Sequence, residues 1–439
     1  MIEAATTTTL ERLGDHVDLL AGFAFKSAAY TTQPDAIRLV RGDNIIQGRL
    51  RWDSAMQWPM DKVAGIERYC LELGDVVIAM DRPWIEAGLK YARIGEDDLP
   101  ALLVQRVSRL RGKGGLDQAF LYCLIGSREF TDHVLAVQTG TAVPHISSGQ
   151  ILDFRFRLPS LGEQRAVADV LSALDDKIEQ SRRTARALER LARAIFQAWF
   201  VDFEPVKAKA AGAITFPSMP QPVFDALPAR FVDSDIGLVP EGWEVKALSS
   251  ICTLVGGGTP KRSEADYWDG DVSWYSVKDA PDRGELWVVR TSERISADGL
   301  TDSAARVVPK GSTIISARGT VGKLAMAGVP MAFNQSCYGL LPGDGKSFGY
   351  LHLLMQSVVA DLQQRVHGSV FDTITRATFD GLLVTSPRGE VVSTFESVVD
   401  PLLALLLGSV DESSKLAAMR NYLLPKLLSG DVQVEATHG

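Results

Sequence analysis

HISSGQILDFRFRLP at residues 145–159 and TITRATFDGLLVTSP at residues 373–387 decide how the rest of the chain is read. In each, an isoleucine (Ile146, Ile374) precedes the closing proline (Pro159, Pro387) by the same 13 positions. Between isoleucine and proline both run from a polar turn into a short β-rich run. Working outward, the correspondence continues. LGDHVDLLAGFAF from Leu13 answers to LSSICTLVGGGTP from Leu248, and IRLVRGDNI at 37–45 to VSWYSVKDA at 272–280. LGDVVIAMDR from Leu73 answers to KGSTIISARG from Lys310. Four matches in one order at a period of roughly 230 residues make the chain an internal duplication.

Each copy follows one plan, so the fold class is α+β: two duplicated β-rich domains, each followed by a long helix. Short strands such as VVIAM and TIISA come first, bounded by Gly and Asp. A helix follows, with Leu351, Leu354, Met355, Val358, Val359 and Leu362 on one face in the later copy; residues 118–138 are its counterpart. A glycine-led loop (TGTAVPHIS, HGSVFDTIT) then leads into the last strand.

In the first closing helix Val167, Leu171, Leu174, Ile178, Ser181, Ala185, Leu188, Ala192, Ile195 and Trp199 follow alternating steps of 3 and 4. That period, sustained over several heptads, defines a coiled-coil seam. Phe395, Val399, Leu402, Leu406, Leu416, Leu423 and Leu427 take corresponding places in the second, where Pro401 and Gly408 predict a kink or a late start. Two seams in one chain can supply each other, as an antiparallel coiled coil. The layout expected is a first domain at 1–160, a helix at 161–200, a linker at 201–242, a second domain at 243–388, a helix at 389–432 and a tail at 433–439. Six prolines without periodicity make the linker an extended one.

A net charge of −8 argues superficially against a nucleic-acid partner. Its distribution weakens the objection. Residues 11–160 carry 18 basic and 19 acidic groups, and residues 243–388 carry 15 of each, whereas 389–439 carry 3 against 7. Near-neutral domains can each present one basic face. Four dispersed cysteines without a CxxC pair predict a reduced, cytoplasmic protein with neither zinc nor disulfides. Neither a secretory signal nor an uninterrupted apolar span is visible.

GEQRAVADVLSALDDKIEQ (162–180), RNYLLPKLLSGDV (420–432), GFAFKSAAY (22–30), GGTPKRSEADYWDGDVSWYSVKD (257–279) and Val239–Trp243 occur in an order that resembles the specificity (S) subunits of type I restriction–modification systems. The resemblance covers essentially residues 11–432. One departure is PRGEVVSTFES, which stands where an EQ-type helix start is usual and puts the geometry of 388–400 in question. The resemblance implies two target-recognition domains, each reading one half of a bipartite, asymmetric double-stranded DNA site. The helices would hold the halves apart and dock two methyltransferase subunits. No cofactor is expected in this chain: S-adenosylmethionine would be carried by the methyltransferase, and ATP and magnesium by a motor-nuclease (restriction) subunit.

Base reading takes Arg, Lys, Asn, Gln, Ser or Thr at groove edges, while other groups clamp phosphates. The polar loops repeated between the copies are the natural places. In the first copy these give Lys26, Arg41, Asn44, Arg82, Trp84, Gln138, Thr139 and His145. In the second they give Thr259, Lys261, Arg262, Lys278, Arg318, Lys323, His367, Ser369 and Arg376. Any one of these could equally be a solvated loop side chain. Gln105–Arg106 and Asn334–Gln335 sit amid apolar strands, either in a buried hydrogen-bond network or on the DNA. Gly22 and Phe23 read as turn and core. Arg182, Arg186, Arg190 and Arg193 form a stripe on the first helix, either solvated or turned to a partner subunit or to spacer phosphates.

Enzymatic signatures fail one by one. Gly345–Lys346–Ser347 ends like a phosphate loop, but position 340 is Leu; Gly322–Lys323 is followed by Leu324; and the glycines at 256–258 lack the rest of a dinucleotide fingerprint. Six histidines are scattered, with no HExxH. A self-contained modifying enzyme would need a cofactor or metal pocket. A bare coiled-coil scaffold would not need two duplicated heads.

Overall fold

The computed structural model describes residues 10–434 apart from 53–54, 141, 218, 282–284, 344–345 and 368–372, and no side chains at 364–367. The chain divides into two compact units, Met1–Lys177 with Leu416–Gly439, and Ile178–Lys415. Both divisions fall inside long helices, Leu161–Phe196 and Gly389–Ser429.

Each unit is built on the same sheets. In the first, a five-stranded sheet runs in the order Val17–Ala21, Val107–Gly112, Val76–Ala79, Tyr91–Arg93, Gln47–Gly48. In the second the order is Cys252–Gly256, Cys337–Pro342, Thr313–Ser316, Leu324–Ala327, Trp287–Val288. A three-stranded sheet recurs too, its middle strand (Ile37–Val40 or Trp268–Tyr275) having one parallel and one antiparallel neighbour. The inbound and outbound segments of each domain also pair, Leu10 with Arg157 and Glu244 with Ser386. The central strands Val76–Ala79 and Thr313–Ser316 are buried throughout, which is why they read as β-rich runs without alternation.

The helix expected at 118–138 is two, Gln118–Ile125 and Arg128–Val137. Ser127 accepts a hydrogen bond from Phe130 N–H and so starts the second. A side chain at Gly126 would lie 2.3 Å from Tyr91 Oη, so the break lets the tyrosine in.

Residues 201–242 are not the extended linker their prolines suggested. They form helices Glu204–Ala210 and Gln221–Ala226 and a hairpin of Phe231–Ser234 with Gly237–Pro240. Lys209 Nζ donates to the carbonyls of Phe224, Asp225 and Leu227 (2.5–3.1 Å), neutralising the end of the second short helix. Val206, Met219, Phe224 and Leu227 are buried in the core of that unit. A sparse apolar set with a charged cap suffices.

The long helices pack antiparallel within each unit. In the second, Ser181 Oγ donates to Glu412 Oε2 (2.8 Å), while the Phe196 and Phe395 rings lie 5.7 Å apart. In the first, Leu171 shares a core with Leu424 and Leu427, and Arg420 meets Asp175. Ser181, Ala185 and Ala192 are buried on the first helix, so small side chains let it approach closely. The second helix runs unbroken through Pro401 and Gly408. Pro401 and Ser397, whose carbonyl loses its helical donor, are both exposed, so the unpaired group lies on the solvent side and not in the core. Its buried face uses Leu403, with Leu402 only half-buried, because it steps by four from Phe395 through Val399. By length and composition this helix could cross a membrane, which no uninterrupted apolar run suggested. Phe395, Val399, Leu403 and Leu406 are buried in one unit, and Leu424 and Leu427 in the other.

The departure from an EQ start has a physical answer. Gln164, fully buried, accepts from Asp117 N–H (2.8 Å) and donates to the carbonyls of Gly115 and Pro159. Asp117 caps the helix Gln118–Ile125. In the second copy the buried Val392 stands at the fourth helical position, and Glu396 Oε1, one turn on, accepts from Ser347 N–H (2.7 Å), just before the helix Phe348–His367. The same backbone donor is served from one turn further along. Gln164→Ala leaves that donor and two carbonyls without their partner. The expected loss is about 1–3 kcal/mol of stability, read as a lower midpoint in denaturant.

Candidate nucleic-acid interface

The strand registers put the predicted loops of each copy at one end of its sheet. Ala79 pairs with Val107, Ser108 with Ala21, and Ile78 with Tyr91. The connections 22–26, 80–90 and 104–106 therefore emerge together. Met80 is the knot: its N–H donates to Arg106 C=O (2.8 Å), and its C=O accepts from Ile146 N–H (2.9 Å). Asp81 thereby lies opposite His145, which itself pairs with Thr139. His145 Nδ1 is 2.7 Å from Asp81 Oδ1, and Arg106 Nη1 is 3.5 Å from the same oxygen. Gln105 N–H donates to Phe23 C=O, drawing the 22–26 segment with its exposed Lys26 into the group.

Exposed Arg82 follows Asp81, and Trp84, 38% exposed, starts a small hairpin of Trp84–Ile85 with Gly88–Leu89. The hairpin returns through Lys90, a cation the sequence reading missed. Burial lowers the Lys90 pKa; nearby Asp43 and Asp81 raise it and Arg82 and Arg51 lower it further. Those neighbours show that the 41–44 loop, with half-buried Arg41, joins the same end. Gln138 caps the helix Arg128–Val137 and is half-buried.

The second copy repeats the scaffold. Ser316 pairs with Cys337, Gly256 with Tyr338 and Ile315 with Leu324. Ala317 takes Met80's place: its N–H donates to Ser336 C=O (2.7 Å), and its C=O accepts from Ile374 N–H (2.9 Å). Arg318 lies opposite Thr373 as Asp81 does opposite His145. Gly258 N–H donates to Phe333 C=O, which brings Thr259 and exposed Lys261 alongside. Lys323 is exposed at the far side of the 317–323 turn, Arg376 opens the helix Arg376–Asp380, and Lys278 is exposed on the turn Val277–Asp279. Ser369 and the His367 side chain lie outside the described residues.

Two expected readers have partners within their own head, Asn44 in a buried loop closure and Arg262 in an ion pair that leaves it exposed. Asn44 is buried; its Oδ1 accepts from Arg41 N–H and its Nδ2 donates to Arg51 C=O, so it closes a loop and offers no edge to a base. Arg262 donates to Glu293 through Nη1 and Nη2 and stacks 3.8 Å over the Trp268 ring. Glu293 is 31 residues away and reaches it through the pairing of Trp274 with Glu293. Gln105, Arg106 and Gln335 are exposed, which decides against a buried network for them; Asn334 accepts from Ser336 N–H. A Cβ at Gly22 or Gly257 would fall 2.1 Å from a carbonyl oxygen of the adjoining turn, so both glycines serve close packing. On the long helix, Arg186 is tied to Glu179 (2.7 Å), Arg190 and Arg193 are exposed, and Arg182 is half-buried.

The geometry is thus a duplicated head with exposed cations at one end of each sheet, each head followed by a long helix. The profile of the type I restriction modification DNA specificity domain matches residues 60–190 and again 240–389. The chain belongs to that family: it is a DNA-binding specificity subunit, not an enzyme. Its partners are DNA and the methyltransferase and restriction subunits of such a system. Among similar proteins, the type I restriction enzyme HindI specificity subunit of Haemophilus influenzae is 27% identical over 355 residues, spanning 71% of this chain and 77% of the relative. The MjaIX specificity subunit of Methanocaldococcus jannaschii is 24% identical over 356 residues, spanning 80% and 76%. The crystal structure of a type I restriction–modification S subunit from M. genitalium shares the fold, with a TM-score of 0.56 at 14% identity over 98% of each chain.

Proposed function

We propose that the two heads read separately, one half-site each, through the loop ends described above. The observation that carries this is the repeated knot at Met80 and Ala317, which mounts different side chains on one backbone frame. Lys26, Arg41, Arg82, Trp84, Gln138, Thr139 and His145 serve the first half-site. Thr259, Lys261, Lys278, Arg318, Lys323 and Arg376 serve the second. The long helices set the unread spacer and dock two methyltransferase subunits, with Arg182, Arg190 and Arg193 facing a partner or spacer phosphates. S-adenosylmethionine belongs to the methyltransferase, ATP and magnesium to the restriction subunit, and the complex works in the cytoplasm.

The helices supply the test. A heptad added to both, at Lys177–Ile178 and Lys415–Leu416, lengthens each by about 10 Å and keeps the seam in register. DNA rises about 3.4 Å per base pair, so the unread spacer should grow by about three base pairs in a methylome of cells carrying the lengthened subunit. An active double insertion with an unchanged spacer rules the helices out as the ruler.

A further inference from the structure

The two knots carry different side chains at three equivalent positions. Where the first head has Asp81, Arg106 and His145, the second has Arg318, Ser336 and Thr373, each placed by the same backbone hydrogen bonds. The flanking glutamines, Gln105 and Gln335, are exposed in both heads. We infer that these three positions are the specificity-determining ones in each head, and that Arg106, steadied by Asp81, reads a guanine in the first half-site. The inference rests on the two-reader function proposed above and adds which residues discriminate.

Backbone conformation supports it independently. Among the described residues only four non-glycines have a positive φ, and two are Arg82 (+44°) and Arg106 (+67°), either side of Asp81 in space. Such conformations persist only where the surroundings enforce them. In the second head the residue after Arg318 is Gly319, at φ +74°. The frame therefore asks for a left-handed residue there, and glycine supplies it without strain. The first head holds an arginine in the same conformation.

The side chains fit the task. Arg106 is 60% exposed, and its ion pair with Asp81 Oδ1 limits the rotamers it must give up on binding. His145 meets the same carboxylate oxygen, so Asp81 is a positioning residue. A guanidinium presented this way matches guanine O6 and N7 in the major groove. In the second head the arginine itself, Arg318, replaces the carboxylate, and the small Ser336 and Thr373 leave it room. The two heads therefore present a guanidinium from different corners of one frame, which suits an asymmetric site.

The test uses the full subunit assembled with its methyltransferase, and affinity for every single-base variant of its own target. Arg106→Ala should relax one base pair of the first half-site by about 5-fold to about 160-fold and leave the second half unchanged. Asp81→Asn should relax the same pair less, and Arg318→Ala a pair in the other half. Arg106→Lys keeps the charge and loses the fork, so it should also relax that pair while assembling normally. Arg128→Ala, an exposed side chain at the end of its helix opposite Gln138, should do nothing. If Arg106→Ala weakens all sequences alike with a shallower salt dependence, Arg106 is a phosphate clamp and the assignment fails. Unchanged discrimination overturns it as well. If neither arginine discriminates but exchanging a whole head still changes one half-site, only these positions are wrong. If both relax pairs in the same half, the two-reader function itself falls.

Discussion

Replacing residues 243–388 with the matching segment of a relative should change one half of the methylated site completely and leave the other half and the spacer as they were. The first head's cores, around Val76, Ile78 and Phe120, around Val77 and Leu103, and around Leu39 and Trp58, draw on none of the exchanged residues. The exchanged head keeps two small cores of its own, around Ile314 and Phe333 and around Trp274 and Ile295. Its main core runs on into the helices, where Tyr350 packs 5.6 Å from Phe196, so the incoming segment must keep an apolar face there. Each mismatched base pair costs about 1–3 kcal/mol. Two changed pairs therefore shift preference by about 30-fold to about 20,000-fold. Methylome sequencing reads the outcome directly; if both halves change together, the heads do not read separately.

Arg420→Ala should strongly destabilise the first unit. Arg420, with its side chain 12% exposed, lies 3.1 Å from Asp175 Oδ1 and donates to Tyr91 Oη (3.2 Å). One residue thus ties the second long helix to the first helix and to the domain's sheet. Burial raises the Asp175 carboxyl pKa, while Arg420 and then Arg93 lower it. Without Arg420 a half-buried carboxylate loses its principal counter-charge. Breaking such a pair costs about 3–5 kcal/mol, a fall in melting temperature of roughly 10 °C. The double variant Asp175→Leu, Arg420→Met should lose less than Arg420→Ala, because an apolar pair needs no counter-charge. Equal losses in calorimetry would mean that packing, not charge, holds the joint.

The duplication was legible partly because the central strands VVIA and TIIS are buried throughout in each copy. The first seam was legible because Val167, Leu171, Ile178, Ser181, Ala185, Ala192 and Trp199 are indeed buried. Elsewhere the sequence reading erred for identifiable reasons. Proline marks a lost donor, and at Pro401 an exposed face absorbs that loss. Six prolines hid a folded 201–242, because its scattered buried apolar side chains and Lys209 were too sparse to show a period. Within the candidate interface, residue type told which groups can touch DNA but not which are engaged. Arg262 and Asn44 are held by partners that only the fold brings near, whereas Arg106, amid apolar strands, sits on an exposed left-handed turn. Lys90 could have been found only from the hairpin that returns the chain beside Arg82.

The pairing of each domain's inbound and outbound segments, Leu10 with Arg157 and Glu244 with Ser386, bears on how such proteins diversify. A module whose two ends are neighbours in one small ladder can be cut out at the genetic level and another spliced in without moving either attachment point. Two crossovers in the coding sequence, each in a stretch that specifies backbone pairing, would deliver a new half-target in one event. The methyltransferase that must follow the change would need no mutation of its own. Selection can then act on whole recognition halves as units of inheritance, and target diversity grows as the product of two repertoires.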